Sequence, residues 1–218
     1  PAARVWTGTG FLAGDPVRIV TNHHVAIPWT SDPASLAVAP QGLEPVPLRF
    51  EAFLPGLDQP MAMETVALDE AADLALLAPS DGAAFDRPAL PLGRDGPRVG
   101  QAAVAIGFPT GLRAMLARAG PEMLAEIRET GADDDRSVAM ELAARDLIEP
   151  LVTVGVVAQS SAGAVVFDAA TTRGGSGGPL LSLTGDVTGV QSAILSDFSG
   201  SNLAVPAARL RALLASAE

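Results

Sequence analysis

Short apolar runs separated by turn residues limit this chain more than any other feature. Val17 to Val20, Leu74 to Leu77 and Ala102 to Ile106 are such runs in the first half. Leu151 to Val157, Ala164 to Phe167, Pro179 to Leu183 and Val187 to Ile194 repeat the style in the second. Runs of this length, rich in Val, Ile and Leu and flanked by Gly, Pro or Asp, read as strands of a sandwich or barrel. The 22 Gly and 18 Pro are enough to punctuate many such strands. At 218 residues the chain suits one large all-β unit or two small barrels sharing a core.

Two segments depart from the strand pattern. Residues 206–217 read as a helix, with Pro206 at its first position and Leu210, Leu213 and Leu214 on one face. Residues 112–149 carry nine acidic residues and five Arg, unlike their surroundings. Their apolar spacing predicts two helices, at 121–130 and 134–148.

Composition narrows the function. With 48% hydrophobic and 18% charged residues, the chain can bury a sizeable interior. The formal net charge of −11 and the lack of a basic stripe argue against a nucleic-acid partner. No run approaches the ~18 apolar residues of a membrane span. All 14 basic residues are Arg, a compositional bias expected of a bacterial, GC-rich coding sequence. Cysteine is absent, which excludes disulfides, a Cys nucleophile and thiolate metal sites. The opening Pro1-Ala2-Ala3 shows no signal-peptide pattern and reads as a processed or trimmed start. Composition alone leaves the compartment open.

The strongest local signal is Thr172-Arg173-Gly174-Gly175-Ser176-Gly177-Gly178-Pro179-Leu180. Glycines are used where a backbone must take positive φ or approach a ligand closely. A tight glycine turn exposes a serine hydroxyl and aims backbone N–H groups at one point, as acyl transfer requires. A flexible Gly/Ser loop has the same composition, so the motif needs company. Both histidines lie in Thr21-Asn22-His23-His24-Val25, after the apolar run Val17 to Val20. In an extended segment adjacent side chains point to opposite faces, so the pair would not readily share a metal ion. Asp73 precedes the apolar run Leu74 to Leu77, where its carboxylate can receive an imidazole N–H. Asp69, flanked by Glu70 and farther from that run, reads as a solvated turn residue. The order His, Asp, Ser is that of the chymotrypsin type, not of subtilisin or the α/β-hydrolases.

On these residues the chain resembles the trypsin-like serine proteases, and among them the bacterial HtrA/Deg-type proteases. Thr9-Gly10-Phe11-Leu12 resembles that group's Gly-Ser-Gly-Phe opening. Thr21 to Val25 resembles its Thr-Asn-x-His-Val, and by position this selects His24 over His23. Asp73 to Leu77 resembles its Asp-Leu-Ala-Leu-Leu. Gly100 to Gly111, Asp168 to Ala170 with the nucleophile loop, and Ser201 to Pro206 resemble further stretches in order. The likeness spans nearly the whole chain except 112–149.

The resemblance implies an all-β fold of two six-stranded antiparallel barrels with the site between them. The first barrel would span 1–95 and the second 96–204, with the helical insertion in the second and a C-terminal helix from 205 to 218. It implies Ser176 as nucleophile, His24 as general base and Asp73 as its orienting acid. The oxyanion hole would comprise Gly174, Gly175 and Ser176, with the N–H groups of Gly174 and Ser176 as donors and Gly175 shaping the turn. It implies a protein or peptide substrate and no cofactor. An HtrA-like chain would work in the cell envelope or periplasm, and a domain of a larger regulatory protein in the cytoplasm.

Three departures from the family pattern carry expectations. Gly175 stands where HtrA/Deg proteases usually have Asn, so the oxyanion loop is expected to be partly mis-set without substrate or activator. Ala170 stands where trypsin has its pocket Asp. Ala170 and Thr171 face the largely apolar Ser192-Ala193-Ile194-Leu195, so small or medium aliphatic residues are expected before the cut. The insertion 112–149 is expected to cover the second barrel or to gate the cleft as the seat of a regulatory partner. Two other functions fit the same residues: a catalytically idle scaffold domain, and a protease effector domain switched on by partner domains.

Overall fold

The computed structural model describes residues 4–32, 35–36, 45, 47–194 and 201–217. The first half forms a five-stranded antiparallel sheet in the order β1-β2-β5-β4-β3. Its strands are β1 (Phe11–Ala13), β2 (Arg18–Thr21), β3 (Glu51–Ala52), β4 (Met61–Asp69) and β5 (Leu74–Pro79). Every residue of β5 is buried, as a central strand covered on both faces requires. Among the described residues this half is therefore a five-stranded sheet, where a six-stranded barrel was expected.

The second half closes as a six-stranded barrel in the order β10-β11-β8-β7-β6-β9. Its strands are β6 (Ala102–Gly107), β7 (Leu151–Ser160), β8 (Val165–Phe167), β9 (Pro179–Leu181), β10 (Val187–Ile194) and β11 (Asn202–Pro206). β6 alternates half-buried and buried residues along its length, so Ala103 and Ala105 point inward. There they meet Val157, Val165, Phe167, Ala169, Leu180 and Ala204. Closure removes free sheet edges.

A second apolar cluster joins the halves. Phe11, Val20, Leu74 and Leu76 of the sheet meet Leu181, Val187, Val190 and Val205 of the barrel. Leu210 and Leu213 of the C-terminal helix (Ala207–Ser216) complete this cluster. Pro206 is the N-cap of that helix and keeps an extended ψ of 141°, so the first helical residue is Ala207 and not Pro206.

The insertion between β6 and β7 is a helical hairpin. Leu112–Glu129 is helical with a break at Gly120, whose φ of 84° and ψ of 168° are not helical. The break divides one apolar stretch into two helices. The expected helix from 121 is the second piece, with Pro121 at its start. It ends at Gly131, whose φ of 77° gives the left-handed stop that favours glycine. The next helix, Asp135–Ala144, starts on a capping box, in which the Asp134 carboxylate accepts the Ser137 N–H at 2.7 Å. It stops short of the expected 148. Asp146 takes φ 55°, its N–H donates to the Ala143 carbonyl, and the Leu147 N–H donates to the Leu142 carbonyl. That pattern terminates a helix as a Schellman motif does, with Asp in place of Gly.

The hairpin is not only a cover on the second barrel. Met115, Ile127, Leu142 and Ile148 form its own small core, and Phe53 of the first half packs against it. Arg136 makes a two-pronged ion pair with Glu51 of β3, at 2.8 and 2.9 Å. The Asp146 carboxylate accepts the Gly56 N–H at 3.1 Å. Rooted in the second half, the hairpin is fastened to the first. No helix among the described residues is long and apolar enough to cross a membrane.

Candidate active site

The candidate base sits at the end of β2. Asn22 ends the strand with extended φ and ψ, and His23–Ala26 forms a single helical turn. The two histidines are thus not in the extended segment that the sequence suggested. The helical turn still separates them: His24 faces Asp73, while His23 is buried.

Asp73 lies in the tight connection between β4 and β5. The Asp69 carboxylate accepts the Ala72 N–H at 2.9 Å and caps this turn. Asp73 has φ 55°, a left-handed conformation that Asp tolerates better than most residues. Asn22, fully buried, donates its amide to the Asp73 carbonyl at 2.8 Å. The backbone is so turned that both carboxylate oxygens stand 2.9 Å from His24 Nδ1. The His24 backbone N–H donates to the same carboxylate at 3.0 Å, and the Ser192 hydroxyl donates at 2.6 Å. Burial alone would raise the Asp73 pKa, but the bonds from the His24 ring, the Ser192 hydroxyl and the His24 N–H outweigh it. The net shift is downward, so Asp73 is an anion at neutral pH.

The glycine loop is closely packed around Ser176. Gly174 and Gly177 take φ of 94° and 88°. A Cβ on Gly177 would lie 2.1 Å from the Thr9 carbonyl oxygen, and one on Gly178 2.3 Å from that of Ile106. A Cβ on Gly175 would lie 2.4 Å from Thr171 Oγ1. Glycine is thus a steric requirement of this loop conformation. The Gly175 N–H donates to the Thr172 carbonyl at 3.0 Å and the Gly177 N–H to that of Gln191 at 2.8 Å. The N–H groups of Gly174 and Ser176 have no hydrogen-bond partner among the described residues.

Ser192 touches both ends of the arrangement. It sits at a register shift of β10, between Gln191 and Ala193. Its hydroxyl is on Asp73, and its carbonyl accepts the Ser176 hydroxyl at 3.0 Å. The Ser176 proton is therefore directed at a carbonyl and not at His24. The sequence reading placed Ser192 in the substrate pocket and did not foresee its bond to Asp73. No pattern in a single sequence marks that bond, which joins residues 119 apart.

The other expected pocket residues lie after β8 and on β10. The Ala170 carbonyl accepts the Thr153 hydroxyl at 2.7 Å, and Thr171 lies against Gly175. Ala193 and Ile194 pair with Leu203 and Asn202 of β11. Leu195 lies outside the described residues. At the root of the hairpin, Thr110 takes φ 57°, a strained choice for a β-branched residue. Its N–H donates at 2.6 Å to the carbonyl of Arg173, next to Gly174.

Comparison with known proteins agrees with this fold. A family model for the trypsin-like peptidase domain matches residues 8–190. Human serine protease HTRA4 is 29% identical over 214 residues, which cover 97% of this chain and 35% of that protein. The chain therefore spans about a third of that relative. The crystal structure of a serine endoprotease from Yersinia pestis superposes with a TM-score of 0.65 at 18% identity, covering all of this chain and 60% of that one. The active form of the Rv3671c protease from M. tuberculosis superposes with a TM-score of 0.63 at 19% identity, covering 97% and 74%. With more than half its length matched by the family model, the chain belongs to the trypsin-like peptidase family and is a serine protease domain of that family.

Proposed function

We propose that this domain cleaves peptide bonds through an acyl-enzyme on Ser176, with His24 as general base and Asp73 as its orienting acid. The observation that carries the proposal is the grip of Asp73 on His24 Nδ1 at 2.9 Å, which directs the other ring nitrogen away from the carboxylate. In the reaction, Ser176 Oγ turns from the Ser192 carbonyl and bonds to the scissile carbonyl carbon as His24 takes its proton. The C–N bond then breaks as His24 returns that proton to the leaving amine. Water, deprotonated by His24, attacks the ester and releases the acid and Ser176. The free N–H groups of Gly174 and Ser176 suit them as donors to the oxyanion, with Gly175 bonded away to Thr172. The direct test is labelling by a fluorophosphonate probe with mass mapping. Adduct on Ser176 is the expected result, and a folded protein with no adduct there would refute the reading.

The substrate class follows from two features. Beyond Gln191, whose N–H and carbonyl are bonded to Gly178 and Gly177, β10 pairs with β11 on one side and has no strand on the other among the described residues. An extended peptide can add a strand to such an edge. Ala170 offers no carboxylate to compensate a buried Lys or Arg, so the residue before the cut is small or medium and aliphatic. Profiling against a peptide library should show Val, Ala or Leu favoured at that position. Preferred cleavage after Arg would contradict this pocket.

The resting bond of Ser176 to Ser192 favours a domain that is switched on over one that is always competent. A regulatory partner on the hairpin would act through Thr110 and the Arg173 carbonyl, because those two connect it to the nucleophile loop.

A further inference from the structure

We infer that Thr9 is a positioning residue for the nucleophile loop, acting through its side-chain hydroxyl. The inference rests on the reading of Ser176 as nucleophile. Thr9 lies just before β1, in the first half of the chain, and is only 4% exposed. All of its polar groups are engaged. Its N–H donates to the Ser176 carbonyl at 2.8 Å. Its hydroxyl donates to the Gly174 carbonyl at 2.6 Å and accepts the Phe108 N–H at 3.0 Å. Its carbonyl accepts the Thr21 hydroxyl at 2.7 Å.

These bonds fix two peptide planes. In a trans peptide the C=O and the following N–H point in opposite directions. Thr9 holds the carbonyl of Gly174, and the N–H of the same plane, on Gly175, is held by Thr172 at the start of the loop, in the second half of the chain. Thr9 also holds the carbonyl of Ser176, and the N–H of that plane, on Gly177, is held by Gln191. Each plane is thus gripped from both halves of the protein, one on each side of the Gly175–Ser176 peptide. Through Thr21, Thr9 is also bonded to the end of β2, the strand that leads into the helical turn of His24. One residue therefore ties the strand before the base to the nucleophile loop, and its hydroxyl sets the direction of the Gly174 plane.

Thr9→Val keeps the shape and the backbone bond to Ser176 but removes the hydroxyl. It leaves the Gly174 carbonyl and the Phe108 N–H without that partner. Thr9→Ser keeps the hydroxyl and loses only a methyl. The experiment measures fluorophosphonate labelling of Ser176, kcat and KM on an aliphatic peptide ester, and amide hydrogen exchange over residues 172–178, each per folded molecule. For Thr9→Val we expect labelling and kcat about 5- to 30-fold lower, with KM nearly unchanged, and exchange of the loop faster by a similar factor. Thr9→Ser should restore all three. Thr9→Ala replaces Thr9→Val as the hydroxyl-free variant if the latter does not fold. Loop exchange that is the same with and without the hydroxyl would overturn the inference, as would Thr9→Ser behaving like the hydroxyl-free variant. If the parent protein is not labelled at all, the proposed chemistry fails, yet the exchange measurement still decides the role of Thr9.

Discussion

Ser176→Ala should lower kcat for peptide hydrolysis by about a million-fold, leaving only the catalysis that binding and the oxyanion donors supply. The substitution deletes one hydroxyl. Among the described residues that hydroxyl has one bond, to the Ser192 carbonyl, and supports no other part of the loop. The positive φ values are those of Gly174 and Gly177, and the backbone bond from Thr9 to the residue 176 carbonyl survives. The folded structure should therefore persist, with an unchanged near-UV spectrum and thermal midpoint, while labelling disappears. Substantial hydrolysis by purified Ser176→Ala would assign the chemistry elsewhere.

Asp73→Asn should lower kcat by about 10⁴-fold with little change in KM. The carboxylate accepts from His24 Nδ1, from the His24 backbone N–H and from the Ser192 hydroxyl. An amide has only one acceptor oxygen, so its NH₂ must face one of these donors. Facing the ring, it would force the proton to the other nitrogen and remove the base. The same residue has a predictable acid limb. Its folded pKa lies below the ordinary value of 3.8. Stability from its ionisation is therefore fully present above that value and is lost as pH falls through the lower folded one. Urea unfolding of the parent protein should show this loss in the acid range. In Asp73→Asn the contribution should be missing, and an identical acid dependence in both proteins would rule out Asp73 as its source.

Much of the fold was legible because local pattern and tertiary demand agree. The runs at Leu74 and Ala102 became β5 and β6, where pattern and burial match, and the run at Leu151 became β7 although Leu151, Val152, Val154 and Val156 are exposed. Helix ends were less legible. Gly120 breaks the first helix of the hairpin, and Asp146 ends the second by adopting a left-handed conformation that is ordinarily glycine's. The first helical piece, before Gly120, is less legible because only two turns, with Leu112, Met115 and Leu116 on one face, precede the Gly120-Pro121 break. At the site, the glycine loop, His24 and Asp73 could be named because each has a local signature. Asn22 and Thr9 lie within motifs that draw notice for their neighbours, and Ser192 reads as a pocket residue with no sign of its bond to Asp73. Their bonds join residues 51, 165 and 119 positions apart, and no periodicity encodes such meetings.

The distance between Thr9 and Gly174 along the chain also orders events during synthesis. A contact spanning 165 residues forms only after the intervening chain has been made and both halves have collapsed. Gln191, the other anchor of the loop, is made later still, and β11 and the helix after it, which pack on β10 and the seam, follow it. The nucleophile loop is therefore set only after residues 9, 174 and 191 have all been made, so a chain cut short before Gln191 lacks an anchor of its own serine.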